Sequence, residues 1–310
     1  MLSVNETVLV IGPGAVGLSL AAGLLRAGIK TAILGRNASA QRRLVRNGFT
    51  IQRPEAGATV VKGLLSADAL EGSASAAFFC VKSRDARKAA RRARRFIGPH
   101  TPVIALQNGI GHEAIFRRAF GPRRTVIGVC YFAADRPAPR TLAFNGGSDI
   151  LLARSDGNET ALADTRGLLS RAGFRVRLKN SEESMLWTKA AFNAAVNPLA
   201  AACAVDSGSL AENPALRDIA LTALNEAVLA ANSSGHRLDY PDMADKLIQS
   251  CRNAPRQRNS MLQDLASGRP TEARAILGPL LKAARKSRIT VPTLETLAAV
   301  IARLERSLAA

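Results

Sequence analysis

Two regimes of hydrophobic patterning divide the chain. Through residue 179, short apolar runs that stop at Gly, Asn or Pro alternate with stretches of helical periodicity, which predicts strands and helices in turn. Val8-Leu9-Val10-Ile11 is the first such run, and the amphipathic pattern of Leu18, Leu20, Ala21, Leu24 and Leu25 follows it. Further strands are predicted at 30–34, 49–52, 59–64, 76–81, 102–106, 125–129 and 174–178, with a helix at 159–172. A closing hairpin is predicted at 141–144 and 150–153, around Asn145-Gly146-Gly147-Ser148. Alternation of this kind predicts a parallel, doubly wound sheet. From residue 180 the pattern is helical, so the expected domains are 1–179 and 180–310. No internal repeat or low-complexity linker separates them.

The first strand-to-helix junction carries Gly12-Pro13-Gly14-Ala15-Val16-Gly17, in G-x-G-x-x-G spacing. Gly12 permits a tight turn, Gly14 lets the backbone approach a pyrophosphate, and Gly17 lets the helix pack closely on the strand. The helix N-terminus then presents free N–H groups and a partial positive charge to the phosphates. The second strand ends in Gly35-Arg36-Asn37, where an NAD-selective site places an acid for the ribose 2′-hydroxyl. A guanidinium there clamps a 2′-phosphate instead, which predicts NADPH over NADH; the competing reading is an incidental surface arginine. Lys82, Asn108 and Ala134 each follow a strand end, where ligands of such sheets bind. For Lys82 and Asn108 a turn-capping role is equally open.

At 310 residues the chain is long enough for two domains and a sizeable core. No run is long and apolar enough to span a membrane, and residues 1–7 are too short and polar for a signal peptide, so a cytoplasmic protein with no membrane partner is expected. Cys80, Cys130, Cys203 and Cys251 form no C-x-x-C pair and suit a reducing compartment. His100, His112 and His236 have no metal-ligand spacing, so no metal is expected. The net charge of +19 raises nucleic acid as a partner. Yet in the densest basic run, residues 84–95, the alanines at 86, 89, 90 and 93, followed by Ile97, mark one buried helix face, and no aromatic residues interleave for base stacking. A solvated basic face, which draws anionic ligands inward, is the favoured reading, and no nucleic acid is expected.

In the second half, Asn180 to Glu183 reads as a helix N-cap with glutamate at N3. Lys189, Asn193 and Asn197 follow at intervals of four and so share one helix face, among Leu186, Ala190, Ala191, Phe192, Ala194 and Val196. Such a polar stripe is costly if buried without partners; a solvated stripe is the alternative. Pro198 is expected to kink or end the helix. Ser260 and Glu272 fall on two further helical stretches joined by a turn.

Taken together, Gly12 to Gly17, Cys80-Val81-Lys82, Gln107-Asn108-Gly109-Ile110-Gly111, Leu186-Trp187-Thr188-Lys189, Asn193 through Asn197-Pro198-Leu199, Ser260-Met261-Leu262-Gln263-Asp264, Thr271-Glu272 and Val291-Pro292 resemble the ketopantoate reductases (2-dehydropantoate 2-reductases). The Lys-x-x-x-Asn-x-x-x-Asn-Pro and Ser-Met-Leu-Gln-Asp segments are more specific than the glycine turn. The resemblance implies an N-terminal Rossmann-type α/β domain, an all-helical C-terminal domain and an active site between them. It implies NADPH-dependent reduction of 2-dehydropantoate to (R)-pantoate in pantothenate biosynthesis. Lys189 resembles the proton donor, and Asn193, Asn197 and Ser260 resemble substrate contacts. Gly12, Pro13, Gly14, Ala15, Val16, Gly17, Arg36, Lys82, Asn108, Ala134 and Glu272 resemble cofactor contacts, with Asn108 also touching substrate. A homodimer is the assembly to be weighed.

Those residue types suit the chemistry. Hydride arriving at a ketone carbon leaves negative charge on oxygen, which an ammonium group stabilises and then protonates. Two departures bear on the substrate: Ser207 and Gln257 stand where the family commonly has asparagine. The alternative within the enzyme class is therefore a paralogue that reduces another 2-oxo acid. From another class, a dinucleotide-sensing or nucleic-acid-binding protein on the same scaffold would bind duplex DNA in a salt-sensitive way and oxidise no NADPH.

Overall fold

The computed structural model describes residues 7–54 and 56–308; of residues 1–7, expected above not to form a signal peptide, all but Thr7 lie outside the described residues. The chain divides into two compact units, one of residues 1–107 and 111–182 and one of residues 108–110 and 183–310. Each has its own hydrophobic core.

The first unit opens β1(Val8–Ile11), α1(Ala15–Arg26), β2(Thr31–Leu34), α2(Ala38–Asn47), β3(Phe49–Arg53), β4(Gly57–Val61), β5(Leu64–Ser66) and β6(Ala76–Phe79). It continues α3(Ala86–Ala93), β7(Val103–Ala105), α4(Glu113–Phe120), β8(Thr125–Ala138), β9(Thr141–Ala153), α5(Glu159–Arg171) and β10(Arg175–Lys179). The sheet order is β4-β3-β9-β8-β7-β6-β1-β2-β5, with β10 also on β9. The strands β8, β7, β6, β1, β2 and β5 are mutually parallel, and β1, β2 and β6 are buried at every position, as doubly covered strands must be. The register sets Ile11 against both Leu34 and Phe79, Phe79 against Ala105, and Ala105 against Ile127. The carboxyl ends of these strands are therefore level.

Several local expectations need correction. The turn is not at 145–148: β9 runs unbroken through Asn145 to Ser148, and the chain reverses between Ala138 and Thr141, so β8 and β9 form one long antiparallel hairpin. Gly146 and Gly147 take φ of 122° and 80° without ending the strand, because register shifts between Tyr131 and Ala134 absorb them as a bulge. The sheet is accordingly mixed, with its antiparallel pairs at β8–β9 and β3–β4. The single strand expected at 59–64 is two, β4 on β3 and β5 on β2, parted at Lys62-Gly63. In the basic run the alanines at 86, 89, 90 and 93 are buried, but Phe96 and not Ile97 completes that face, because the last turn tightens to a 3₁₀ helix at Arg94–Phe96.

The second unit contains the helices α6(Glu182–Cys203, from Glu183 on), α7(Ser207–Glu212), α8(Pro214–Asn232), α9(Tyr240–Asn253), α10(Ser260–Ala266), α11(Ala273–Lys286) and α12(Pro292–Ser307). Helix α8 packs on α7, α9, α11 and α12 through an alanine-rich face that lets backbones approach closely. The Glu226 carboxylate, buried on α8, accepts from the N–H groups of Thr293 (3.0 Å) and Leu294 (2.8 Å) and so caps α12, where a negative charge meets the positive end of the helix. Helix α6 starts at Glu182, later than the Asn180 cap expected; Glu182 itself pairs with Arg117 at 2.6 Å. Nor does Pro198 end α6, which continues to Cys203. Losing one backbone bond there costs about 3 kcal/mol. Burial of the continuous run from Asn193 to Ala201 offsets it.

Candidate active site

The β1–α1 turn shows why its glycines are needed. Gly12 has φ of +90°, and a Cβ on it would lie 2.7 Å from Val81 Cγ1 and 2.9 Å from the Val81 nitrogen. A Cβ on Gly17 would lie 2.2 Å from the Gly12 carbonyl oxygen, so helix and turn touch backbone to backbone. A Cβ built on Gly14 would meet nothing within 4 Å, so that side of the residue faces open space. Gly14 caps α1 with no side-chain hydrogen bond, and the first turn carries no acid, which leaves the leading N–H groups to an outside acceptor. Backbone donors, positive helix end and open approach together suit a pyrophosphate; Pro13, Ala15 and Val16 complete this turn.

Level strand ends bring the other first-unit candidates to the same edge of the sheet. The Gly12 N–H donates to Leu34 and the Cys80 N–H to Ile11, tying the β1, β2 and β6 ends at 2.9 and 2.8 Å. Arg36 is exposed at the end of β2, and no described residue forms an ion pair with it. Lys82, half-buried, follows the Val81 that packs on Gly12. Ala134 lies on β8 at the bulge, opposite Phe144. Two residues on, Arg136 Nη1 donates to the Pro13 carbonyl at 2.8 Å. Burial pushes the Cys80 thiol well up, with Cys130 adding to it, and holds the Tyr131 phenol at about 12, so these groups stay neutral there.

In the second unit Asn193 and Asn197 are buried, at 5% and 7% exposure, and Lys189 above them is half-buried with its Nζ 5.6 Å from the Phe192 ring centroid, within cation–π range. Neither asparagine amide hydrogen-bonds another described residue. Asn259 Nδ2 donates to the Asn197 carbonyl at 3.4 Å, and Asn259 Oδ1 accepts from Met261 and Leu262, both at 3.0 Å. That double tie seats the first residue of α10, Ser260, beside Asn197. Near the start of α6, Trp187 stacks on His236 with centroids 4.3 Å apart. Burial lowers the His236 pKa, and Glu183 opposes that shift.

Asn108 belongs to a segment, 108–110, that is counted with the second unit. There the Ile110 N–H donates to the Ala275 carbonyl at 3.1 Å, and a Cβ on Gly109 would lie 2.6 Å from that same oxygen. Glu272, buried, sits one residue before α11, not inside it, so Asn108 and Glu272 meet the same helix start. Ser207 and Gln257 are also neighbours: the Ser207 N–H (2.9 Å) and hydroxyl (3.1 Å) both donate to the Gln257 carbonyl. Arg136 and Asn259 were not signalled as site-supporting residues, although Asn259 before a helical run is a readable N-cap. Among the described residues no group of three His, Cys, Asp or Glu could hold a metal ion, and no helix is long and apolar enough to cross a membrane.

Known proteins resemble this chain over most of its length. The model described as "Ketopantoate reductase PanE/ApbA" matches residues 8–157, and "Ketopantoate reductase PanE/ApbA C terminal" matches residues 183–305. A 2-dehydropantoate 2-reductase of Halobacterium salinarum is 29% identical over 303 residues, covering 96% of this chain and 99% of the relative. One of Mesorhizobium japonicum is 26% identical over 322 residues, covering 95% and 96%. Among solved structures, D-mandelate dehydrogenase with NADH and anilino(oxo)acetate superposes with TM-score 0.89 at 21% identity, covering 98% of this chain and 100% of that one. A PanE/ApbA family ketopantoate reductase from Ralstonia eutropha superposes with TM-score 0.84 at 23% identity and the same coverage. With a Rossmann-type unit and a helical unit each matched by its own half of one family, the chain belongs to the ketopantoate reductase family of oxidoreductases.

Proposed function

We propose that this protein reduces a 2-oxo acid, 2-dehydropantoate, to its 2-hydroxy acid with NADPH. The observation that carries the proposal is the stripe on α6: an ammonium group followed by two buried asparagines whose amides hydrogen-bond no other described residue. NADPH, when bound, supplies the hydride. The glycine turn binds the pyrophosphate through backbone N–H groups, and Arg36 binds the 2′-phosphate. Lys82, Asn108, Ala134 and Glu272 complete the cofactor contacts. Lys189 stabilises the oxygen that becomes negative and donates its Nζ proton to it. Asn193, Asn197 and Ser260, with Asn108, orient the hydroxyl and carboxylate of the substrate by neutral hydrogen bonds. A cytoplasmic enzyme of pantothenate biosynthesis, assembled as a homodimer, is the setting this reading implies.

The domain boundary belongs to the same proposal: residues 1–179 form the NADP-binding Rossmann-type domain and residues 180–310 the helical domain that carries Lys189 and most substrate contacts. A second reading, a paralogue for a different 2-oxo acid, is favoured by Ser207. Its hydroxyl is spent on the Gln257 carbonyl, where the family commonly has an asparagine amide. The D-mandelate dehydrogenase neighbour makes a bulkier 2-oxo acid the natural competitor. The deciding experiment is NADPH consumption by the purified protein against a panel of 2-oxo acids. The first reading expects the highest kcat/KM with ketopantoate, and the second expects it elsewhere; NADPH consumption with no 2-oxo acid would end both.

A further inference from the structure

We propose that Arg92, on α3, is a second guanidinium for the 2′-phosphate, holding the turn that carries Arg36 while its remaining donors face the anion. The inference rests on the NADPH reading above and names a residue that reading does not use.

The turn after β2 is fixed at one peptide from both sides. Gly35 is buried; its N–H donates to Gln41 Oε1 at 2.7 Å, and its carbonyl accepts from Arg92 Nη2 at 3.0 Å. Gln41 is in turn held by Ser66, to whose Oγ its Nε2 donates at 2.9 Å. The direction in which Arg36 leaves the sheet is therefore set by Gln41 and Arg92 together. A Cβ built on Gly35 would lie 3.5 Å from the Pro13 ring, so this peptide borders the phosphate-binding turn itself.

Charge separates Arg92 from its neighbours. Arg95, three residues on, is paired with Asp68, and Arg43 donates to Ser39 Oγ at 2.8 Å. Arg92 has no acidic partner among the described residues, and one carbonyl bond leaves most of its five N–H donors unused. A phosphate dianion is best met by two guanidinium forks, and these two are anchored at consecutive residues, Gly35 and Arg36. By bonding the Gly35 carbonyl, Arg92 also neutralises an acceptor that would otherwise turn its negative end toward the anion.

The test is calorimetric binding of 2′,5′-ADP and 5′-AMP, which differ only in the 2′-phosphate, to the full-length protein. Wild type is expected to prefer 2′,5′-ADP. Arg92→Ala is expected to lose roughly ten- to a hundredfold of 2′,5′-ADP affinity with 5′-AMP affinity unchanged. Arg92→Gln, whose amide still reaches for the Gly35 carbonyl without charge, is expected to fall between. Equal weakening of both nucleotides would reduce Arg92 to a fold contact, and unchanged 2′,5′-ADP affinity would remove it from the site. A wild-type protein that fails to distinguish the two nucleotides would overturn the NADPH reading itself, an outcome recognisable before any variant is made.

Discussion

The β1–α1 turn and helix α6 are built on opposite terms. The turn depends on side chains being absent: Gly12 and Gly17 would each drive a Cβ into neighbouring atoms, and Gly14 leaves a face open. Helix α6 depends on side chains being present where burial makes them expensive, with Asn193 and Asn197 inside an otherwise apolar run. Backbone recognition tolerates change almost anywhere except at its glycines. Side-chain recognition tolerates almost any change except along one stripe. The two regions should therefore fail in different ways when altered.

The largest effect is expected from Lys189→Ala. Removing the proton donor should lower kcat by about 10²- to 10⁴-fold while NADPH affinity, measured by fluorescence titration, is kept. Near-normal turnover would strip Lys189 of that role. Gly17→Ala should do the reverse, weakening NADPH binding and destabilising the protein by about 1–3 kcal/mol in denaturant titration, because the clash is with backbone that cannot step aside. An unaltered Kd and midpoint would show that the turn can relax. Arg36→Glu comes next: charge reversal should cost NADPH roughly ten- to a hundredfold in kcat/KM and improve NADH relative to it. Unchanged selectivity would return Arg36 to the solvated surface.

The smallest effect is expected at His236. Its folded-state pKa lies below the ordinary 6.5 because burial disfavours the charged ring. The unfolded chain therefore takes up the proton first. The stability tied to the neutral ring is complete above pH 6.5 and is lost as pH falls through the folded-state value. Trp187 is the sole tryptophan and stacks on this ring, so its emission should titrate with a midpoint below 6.5. A midpoint at or above that value would contradict the burial argument.

What could be read from the sequence was what depends on local spacing. The strand ends at Ile11 and Leu34 follow from apolar runs, whereas the run at 76–81 continues two residues past β6, which ends at Phe79; the common face of Lys189, Asn193 and Asn197 follows from intervals of four. The reversal between Ala138 and Thr141 was hidden because Asn145-Gly146-Gly147 is the stronger turn signal, and only pairing with β8 turns it into a bulge. Pro198 misled for a similar reason: a local penalty was outweighed by packing that no local pattern reports. Arg92 and Arg136 were the least legible. Each acts on a carbonyl far away in the chain, and an arginine in a basic surface run looks like its neighbours until the fold selects one of them.

One tie in the first unit has a consequence for motion. Arg136 joins the Pro13 carbonyl to the far end of the β8–β9 hairpin, where it also reaches the Pro139 carbonyl. A nucleotide settling onto the turn would damp that ribbon tip at the same time. Amide exchange near Arg140 should then slow on ligand addition, although those amides lie in a reversal that the nucleotide need never touch.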